Sequence, residues 1–249
     1  MRSARIILFI VLVTISASAQ TPDLLIARGD SAQAAFSPRD ALRFYRQAER
    51  QQPMNPDVLW RISKVHTDLS IGEEDPAVAM REAERAVAYA KRAVEHGARH
   101  SMAHAVLAVA YGQKAVLVPN RKKMDLSKLL HSHAIRALEL DSTNTVAMLV
   151  LGIWHREVAS LSWIIRLLLK AAYGDVPEAS LDDARKLLGR AVALQPTVIM
   201  GRVELAKTLI QRDETDAARR QLRTALALPR SDLHDPRRKE EAEALLNAL

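Results

Sequence analysis

The sequence predicts an all-α solenoid built from helix pairs, and three observations predict it. Ala, Leu, Arg and Glu dominate the 249 residues, with 4% aromatics and few glycines, a composition that favours helix over strand. Small residues recur at an interval of 15, from Ala48 to Ser63, Ala93 to Ala108, Ala137 to Gly152 and Ala191 to Ala206. Seven residues before the first member of each pair stand Ala41, Ala86, Leu130 and Ala184, and Ala218 with Ala225 repeats that spacing. Seven residues make two helical turns, so each such pair shares one helix face.

Five residues beyond each second alanine comes a turn position, filled by Pro53, Ala98, Ser142 and Pro196. Proline there ends one helix or opens the next. This layout resembles the tetratricopeptide repeat, in which two antiparallel helices, A and B, cross at small residues. Leu107-Ala108 and Leu151-Gly152 occupy the Leu-Gly/Ala position of helix A, and Tyr45 and Tyr111 the aromatic positions. One unit cannot bury its apolar face alone, so the resemblance implies a right-handed superhelix of stacked units.

In chain order, residues 1–19 come first. A basic start with Arg2 and Arg5, an apolar run from Ile6 to Ile15 and the small-residue exit Ala17-Ser18-Ala19 predict a cleavable export signal. Cleavage removes two basic residues and no acid, so the formal charge of +7 becomes +5. The protein is therefore expected in the periplasm or outside the cell. With no cysteine, its core must hold it without disulfides. Five repeats are expected over 21–53, 54–98, 99–142, 143–196 and 197–230, within a solenoid spanning 20–230. A C-terminal capping helix is expected within 231–249, on the amphipathic stretch 235–249.

The middle repeats are longer than the outer ones. The small residue of helix A and the first alanine-type position of helix B lie 12 apart in repeats one (Gly29 to Ala41) and five (Ala206 to Ala218). In repeats two, three and four the spacing implies insertions of 11, 10 and 20 residues, all between the two helices and so on one edge of the solenoid. In repeat four the apolar run through Trp154 and Trp163 predicts an A helix prolonged from Asn144 to Tyr173, about 45 Å long. Arg156, Glu157, Arg166 and Lys170 interrupt that run, which excludes a membrane span of about 20 apolar residues.

No nucleophile elbow, glycine-rich phosphate loop or paired-cysteine site is present, and no catalytic role, cofactor or metal is expected. His96, His100 and His104 are spaced for a metal on one helix, but Gly97 and the turn after it break that helix. Basic clusters occur at Arg121-Lys122-Lys123, Arg219-Arg220 and Arg237-Arg238-Lys239, and the first is the candidate contact for an acidic partner or lipid headgroups. No aromatics interleave with them, so nucleic acid is not an expected partner.

Helix A lines the inner face of such repeats. Counted from the Leu-Gly frame, the inner positions are Met102, Ala105 and Val109, then Val146, Leu149 and Ile153, then Met200, Val203 and Lys207. Repeat two supplies the more polar set Asp57, Trp60 and Lys64. The candidate groove is thus Met102, Val109, Val146, Leu149, Ile153, Met200 and Val203, edged by Trp163. An apolar surface of that extent needs a cover: an inserted helix, a protein partner or partner helix, or the acyl chains of a phospholipid. The expected role is a protein-interaction scaffold, with hydrophobic-ligand binding and peripheral membrane contact as the alternative.

Leu151-Gly152, Trp154, Val158, Leu161 to Ile164, Tyr173-Gly174, Pro177 and Ser180, followed by Ala184, resemble the signature region of the regulator of microtubule dynamics family. The stretch ARRQLRTALALPRSDLHD resembles that family's C-terminal end. The resemblance covers about residues 56–249. It implies a non-enzymatic helical-repeat fold and, from one branch, a link to phospholipid. The microtubule role of eukaryotic members is not expected of an exported, bacterial relative.

Overall fold

The computed structural model describes residues 21–162 and 178–249. Among them lie eleven helices: α1 Pro22–Ala34, α2 Pro38–Gln51, α3 Pro56–Ile71, α4 Pro76–His96, α5 Ser101–Leu117, α6 Asn120–Leu140, α7 Thr145–Ala159, α8 Leu181–Leu194, α9 Ile199–Gln211, α10 Thr215–Ala227 and α11 Asp235–Asn247. The expected export signal, Trp163 and the Tyr173-Gly174 end of the expected long helix lie outside the described residues. Most helix starts carry a local cause, though α6, α9 and α10 have neither a first-turn proline nor a side-chain cap. Proline occupies the first turn of α1, α2, α3, α4 and α11, where a missing N–H costs nothing. Asn55, Asp75, Asn144 and Ser180 accept hydrogen bonds from the free N–H groups of the following turn.

The helices pair as α1·α2, α3·α4, α5·α6, α7·α8 and α9·α10, each pair packed on the next. The small-residue spacing has a direct steric cause. A Cβ on Gly29 would overlap the fully buried Tyr45 ring, and one on Gly152 would sit 2.5 Å from Leu188 Cγ. Ser63 Oγ donates to Ala86 O at 2.8 Å across the α3·α4 crossing. Gly152→Ala is therefore expected to destabilise by about 1–3 kcal/mol through overpacking. Gly189→Ala, whose Cβ would meet nothing within 4 Å, is expected to stabilise by about 0.5–1 kcal/mol as a helix-interior Gly→Ala change. Urea unfolding of the two variants checks the opposite signs.

The insertions of repeats two and three are extra helical turns, not loops. Helices α3 and α4 run 16 and 21 residues, and α5 and α6 run 17 and 21, against 13 or 14 in repeats one and five. Ser70 Oγ donates to Ala79 O and accepts from Gln113 Nε2, tying the added turns of α3, α4 and α5 together. Repeat four departs from expectation, because α7 stops at Ala159. Ser160 follows as its C-cap: its N–H returns to Arg156 O, and its one hydroxyl proton lies within reach of both Arg156 O, at 2.7 Å, and Gln211 Oε1 of α9, at 2.9 Å. The uninterrupted helix to Tyr173 is thus corrected, and the stretch from Trp154 to Gly174 contains a helix end. Helix α11 packs across α9 and α10.

The concave A-helix face as candidate binding site

The A helices α3, α5, α7 and α9 touch one another in sequence, whereas among the described residues no two B helices make comparable contact. Helices that converge on one side and splay on the other line the concave face of a superhelix, and here the A helices line it.

The structure divides the expected groove residues into two sets. Leu149 and Val203, with Ala105, are buried and belong to the core, which corrects their assignment to an open groove. Leu149 is covered by repeat five, where Gly201 leaves room for its Cδ2. Met102 and Val146 are half-buried against Ala105, Ala137 and Ala147, and Ile153 against the cluster of α7, α8, α9 and α10. Val109 and Met200 are half-buried and belong to no core cluster among the described residues. Lys122 and Lys123 are exposed on the first turn of α6. The Arg121 side chain lies outside the described residues.

Charge flanks this strip at both ends. Toward the N-terminus, Arg61 binds Asp30 through Nε at 2.8 Å and stacks its guanidinium 4.2 Å from the Trp60 ring. Tyr45 donates its hydroxyl to the same Asp30 carboxylate at 2.6 Å, and burial, reinforced by that carboxylate, pushes its pKa up. Burial opposes ionisation of Asp57, but the Trp60 N–H, His100 and Arg61 outweigh it and hold its carboxyl below the usual range. Toward the C-terminus, buried Arg156 reaches Glu204 at 2.5 Å and Glu157 at 2.8 Å. Lys207 then links Glu204, at 3.0 Å, to Glu241 of α11. Burial would lower the Arg156 pKa, yet the two carboxylates overcome it and raise it.

Histidines that the sequence left as bland positions sit at the joints. His100 caps α5, its Nδ1 accepting from Ala103 N, so the spaced trio is indeed split between α4 and α5. His104 Nε2 lies 3.1 Å from Ala98 O, which can only accept, so in neutral His104 Nδ1 is the free lone pair. His133 Nδ1–H then donates to it across 2.9 Å. His131 packs on Trp154 with ring centroids 4.3 Å apart. Trp154 Nε1 donates to Ser127 Oγ.

Two features escaped the sequence reading. One is the ion chain through Arg156, whose signal was a single arginine and glutamate in an otherwise apolar A helix. The other is a contact between the chain's ends. Arg230 places its guanidinium 3.8 Å from the Phe36 ring centroid, and His234 Nε2 stands 3.8 Å from Asp68. Phe36, Arg39, Asp68, Leu233 and His234 border a cleft of about 520 Å³ there.

Stacked antiparallel pairs with small-residue crossings and an A-helix inner face define a tetratricopeptide-repeat protein. A thermophilic protein of that class from Thermus thermophilus superposes with a TM-score of 0.64 at 19% identity, covering 90% of this chain and 100% of that one. Within the class, residues 23–249 match the family model for Regulator of microtubule dynamics protein 1-3, and the chain belongs to that family. It is 24% identical to Regulator of microtubule dynamics protein 1 of Mus musculus over 198 residues, 78% of this chain and 64% of that protein. It is 26% identical to the Caenorhabditis elegans protein 1 over 78% of this chain and 85% of that protein. For the Rattus norvegicus protein 3 the figures are 26%, 76% and 40%. The chain thus spans less than two thirds of the mouse and rat relatives.

Proposed function

We propose that this chain is a protein-interaction scaffold whose concave A-helix face takes an apolar segment of a partner, between the charged ends of the strip. The observation that carries the reading is the pair Val109 and Met200, aliphatic side chains on the inner helix layer that no core cluster among the described residues absorbs. Met102, Val146 and Ile153 extend the strip between them, each with one side in the core and one side left over. Arg61 and Lys207 at its ends, each held by carboxylates, give a partner segment fixed charges to align on. Export through residues 1–19 belongs to the same proposal, and N-terminal sequencing of the mature protein tests it. The names of the relatives point to microtubule dynamics, a setting that an exported protein does not reach.

Met200→Asp and Val109→Asp are expected to keep the fold, because both side chains are only half-buried and lie outside the core clusters of the described residues, and to lose bound partner when protein is isolated from its source cells and its companions are quantified by mass spectrometry. Leu149→Asp is expected to unfold the chain, since it buries an unpaired charge. Retention of the same companions by Met200→Asp contradicts the scaffold reading. The phospholipid alternative rests on the same apolar strip. Native mass spectrometry decides it, since a clean protein mass removes it and a mass increment of one phospholipid supports it.

A further inference from the structure

The contact between the chain's ends combines firm local structure with a weak hold. Ser231 N–H and Asp232 N–H donate to Asp235 Oδ2 at 2.8 and 2.7 Å, and Arg238 binds Asp232 and Asp235. Lys239 Nζ donates to Leu226 O and Leu228 O. Residues 228–234 are therefore shaped locally, by hydrogen bonds to α10 and α11. Across the gap the hold is slight. Among the described residues Arg230 lies on Phe36, Lys64 attracts Asp232, and His234 stands with its buried Nε2 without a hydrogen-bond partner, 3.8 Å short of Asp68. Asp68 is already bound by Lys64 at 2.8 Å and Gln33 at 3.3 Å, so it does not depend on His234.

Phe36 supplies the second observation. It follows the last turn of α1, its N–H bonded to Gln33 O and the next N–H to Ala32 O, and its φ is 59°. That left-handed position is one glycine fills without strain, and a phenylalanine there is strained. The corresponding turn of repeat five has Asp213 at the same φ, a residue type that tolerates it. Phe36 belongs to no core cluster, and its ring is the surface on which Arg230 lies. The strain is thus kept at the one point where the chain's ends meet.

We propose that residues 229–234 form a releasable strap, closing the superhelix by Arg230 on Phe36 and opening it by lifting away with α11 as a unit. For its consequence, a concave face of two widths, the proposal rests on the scaffold reading. The strap itself can be tested without any partner. The chain has no cysteine, so Arg39→Cys and Arg237→Cys, both exposed positions, accept a spin-label pair with no background. Pulsed electron–electron double resonance is expected to show a major short distance and a minor long one. Arg230→Ala should raise the long-to-short ratio roughly two- to fivefold, as the loss of an exposed cation–π contact implies. Phe36→Gly should raise it at least as much without lowering the unfolding midpoint, since glycine relieves the strained turn. A single distance unchanged in all three proteins overturns the strap. So does a Phe36→Gly variant that loses stability while its distances stay put. These distances are read on the free protein, so their outcome is separate from that of the Met200→Asp experiment.

Discussion

Glu204→Ala is expected to cost about 3–5 kcal/mol of unfolding free energy, a large share of the roughly 5–15 kcal/mol that holds a typical domain. The reason is Arg156, which is 4% exposed in the inner layer between α7 and α9. Without Glu204 its remaining carboxylate is Glu157, which is largely in water and holds it loosely. A buried guanidinium cannot shed its proton to escape, so the desolvation penalty stays. Arg156→Ala should be nearly as harmful, for a different reason: it opens a cavity, although Glu204 retains Lys207. The double variant Arg156→Met/Glu204→Leu should recover most of the loss, because no buried charge is left and Lys207 keeps Glu241. Urea unfolding of the three variants checks the ordering. Equal losses in the single and double variants would show that shape, not charge pairing, sets the cost.

Acid is expected to loosen the protein well above the range where carboxylates protonate. Burial lowers the pKa of five histidines, His66, His131, His133, His155 and His234, below the ordinary 6.5. Neighbours adjust each shift without reversing it. Glu82, 2.6 Å from His66 Nδ1, pulls upward, as do Asp183 beside His155 and Asp68 and Asp232 beside His234. His155 and His104 push their histidine neighbours further down, and so does Lys91 at His133. The sign follows from proton counts. Below about pH 6.5 the unfolded chain binds protons that the folded chain still refuses, so stability falls as pH falls, until each histidine reaches its own depressed value. Each fully engaged histidine contributes a slope of up to about 1.4 kcal/mol per pH unit. Two of them acting fully would lower Tm by about 5–10 °C between pH 6.5 and 5.5. Asp57, Asp183 and Asp232, held below 3.8, add a second loss of the same sign in stronger acid. Calorimetric melting at several pH values checks this, and a Tm flat from pH 7.5 to 5.5 is the contrary result. His66→Gln should flatten the curve most, because His66 is the most deeply buried of the five.

The repeat was legible because its spacing is a steric requirement. Gly29 must admit Tyr45 and Gly152 must admit Leu188, so the sequence displays the crossing points directly. Many helix starts were legible locally too, in first-turn prolines and in Asn, Asp or Ser caps, but those of α6, α9 and α10 were not. The end of α7 was not, because the apolar pattern runs on through Trp163 without glycine or proline. The helix ends instead at Ser160, whose hydroxyl sits beside Gln211 of α9. The groove was half legible. Register separates the two sets: Ala105, Leu149 and Val203, three residues before the small residue of their helices, are all buried, whereas Val109 and Ile153, one residue after it, are half-buried. Leu149 shares its cluster with Val192 of α8 in its own repeat, and repeat five adds Gly201, whose missing side chain leaves room for it. The meeting of Arg230 with Phe36 joins opposite ends of the chain, and no periodicity reaches so far.

The central claim is that the concave face, and not the convex one, receives a protein segment. A photo-crosslinking amino acid placed at Met200 in source cells tests it most directly, with the exposed B-helix residue Leu194 as the convex control. The account predicts a discrete protein adduct from position 200, absent from position 194 and absent when Val109 is also replaced by Asp. The same adducts from both positions, or a lipid adduct alone at position 200, would contradict it.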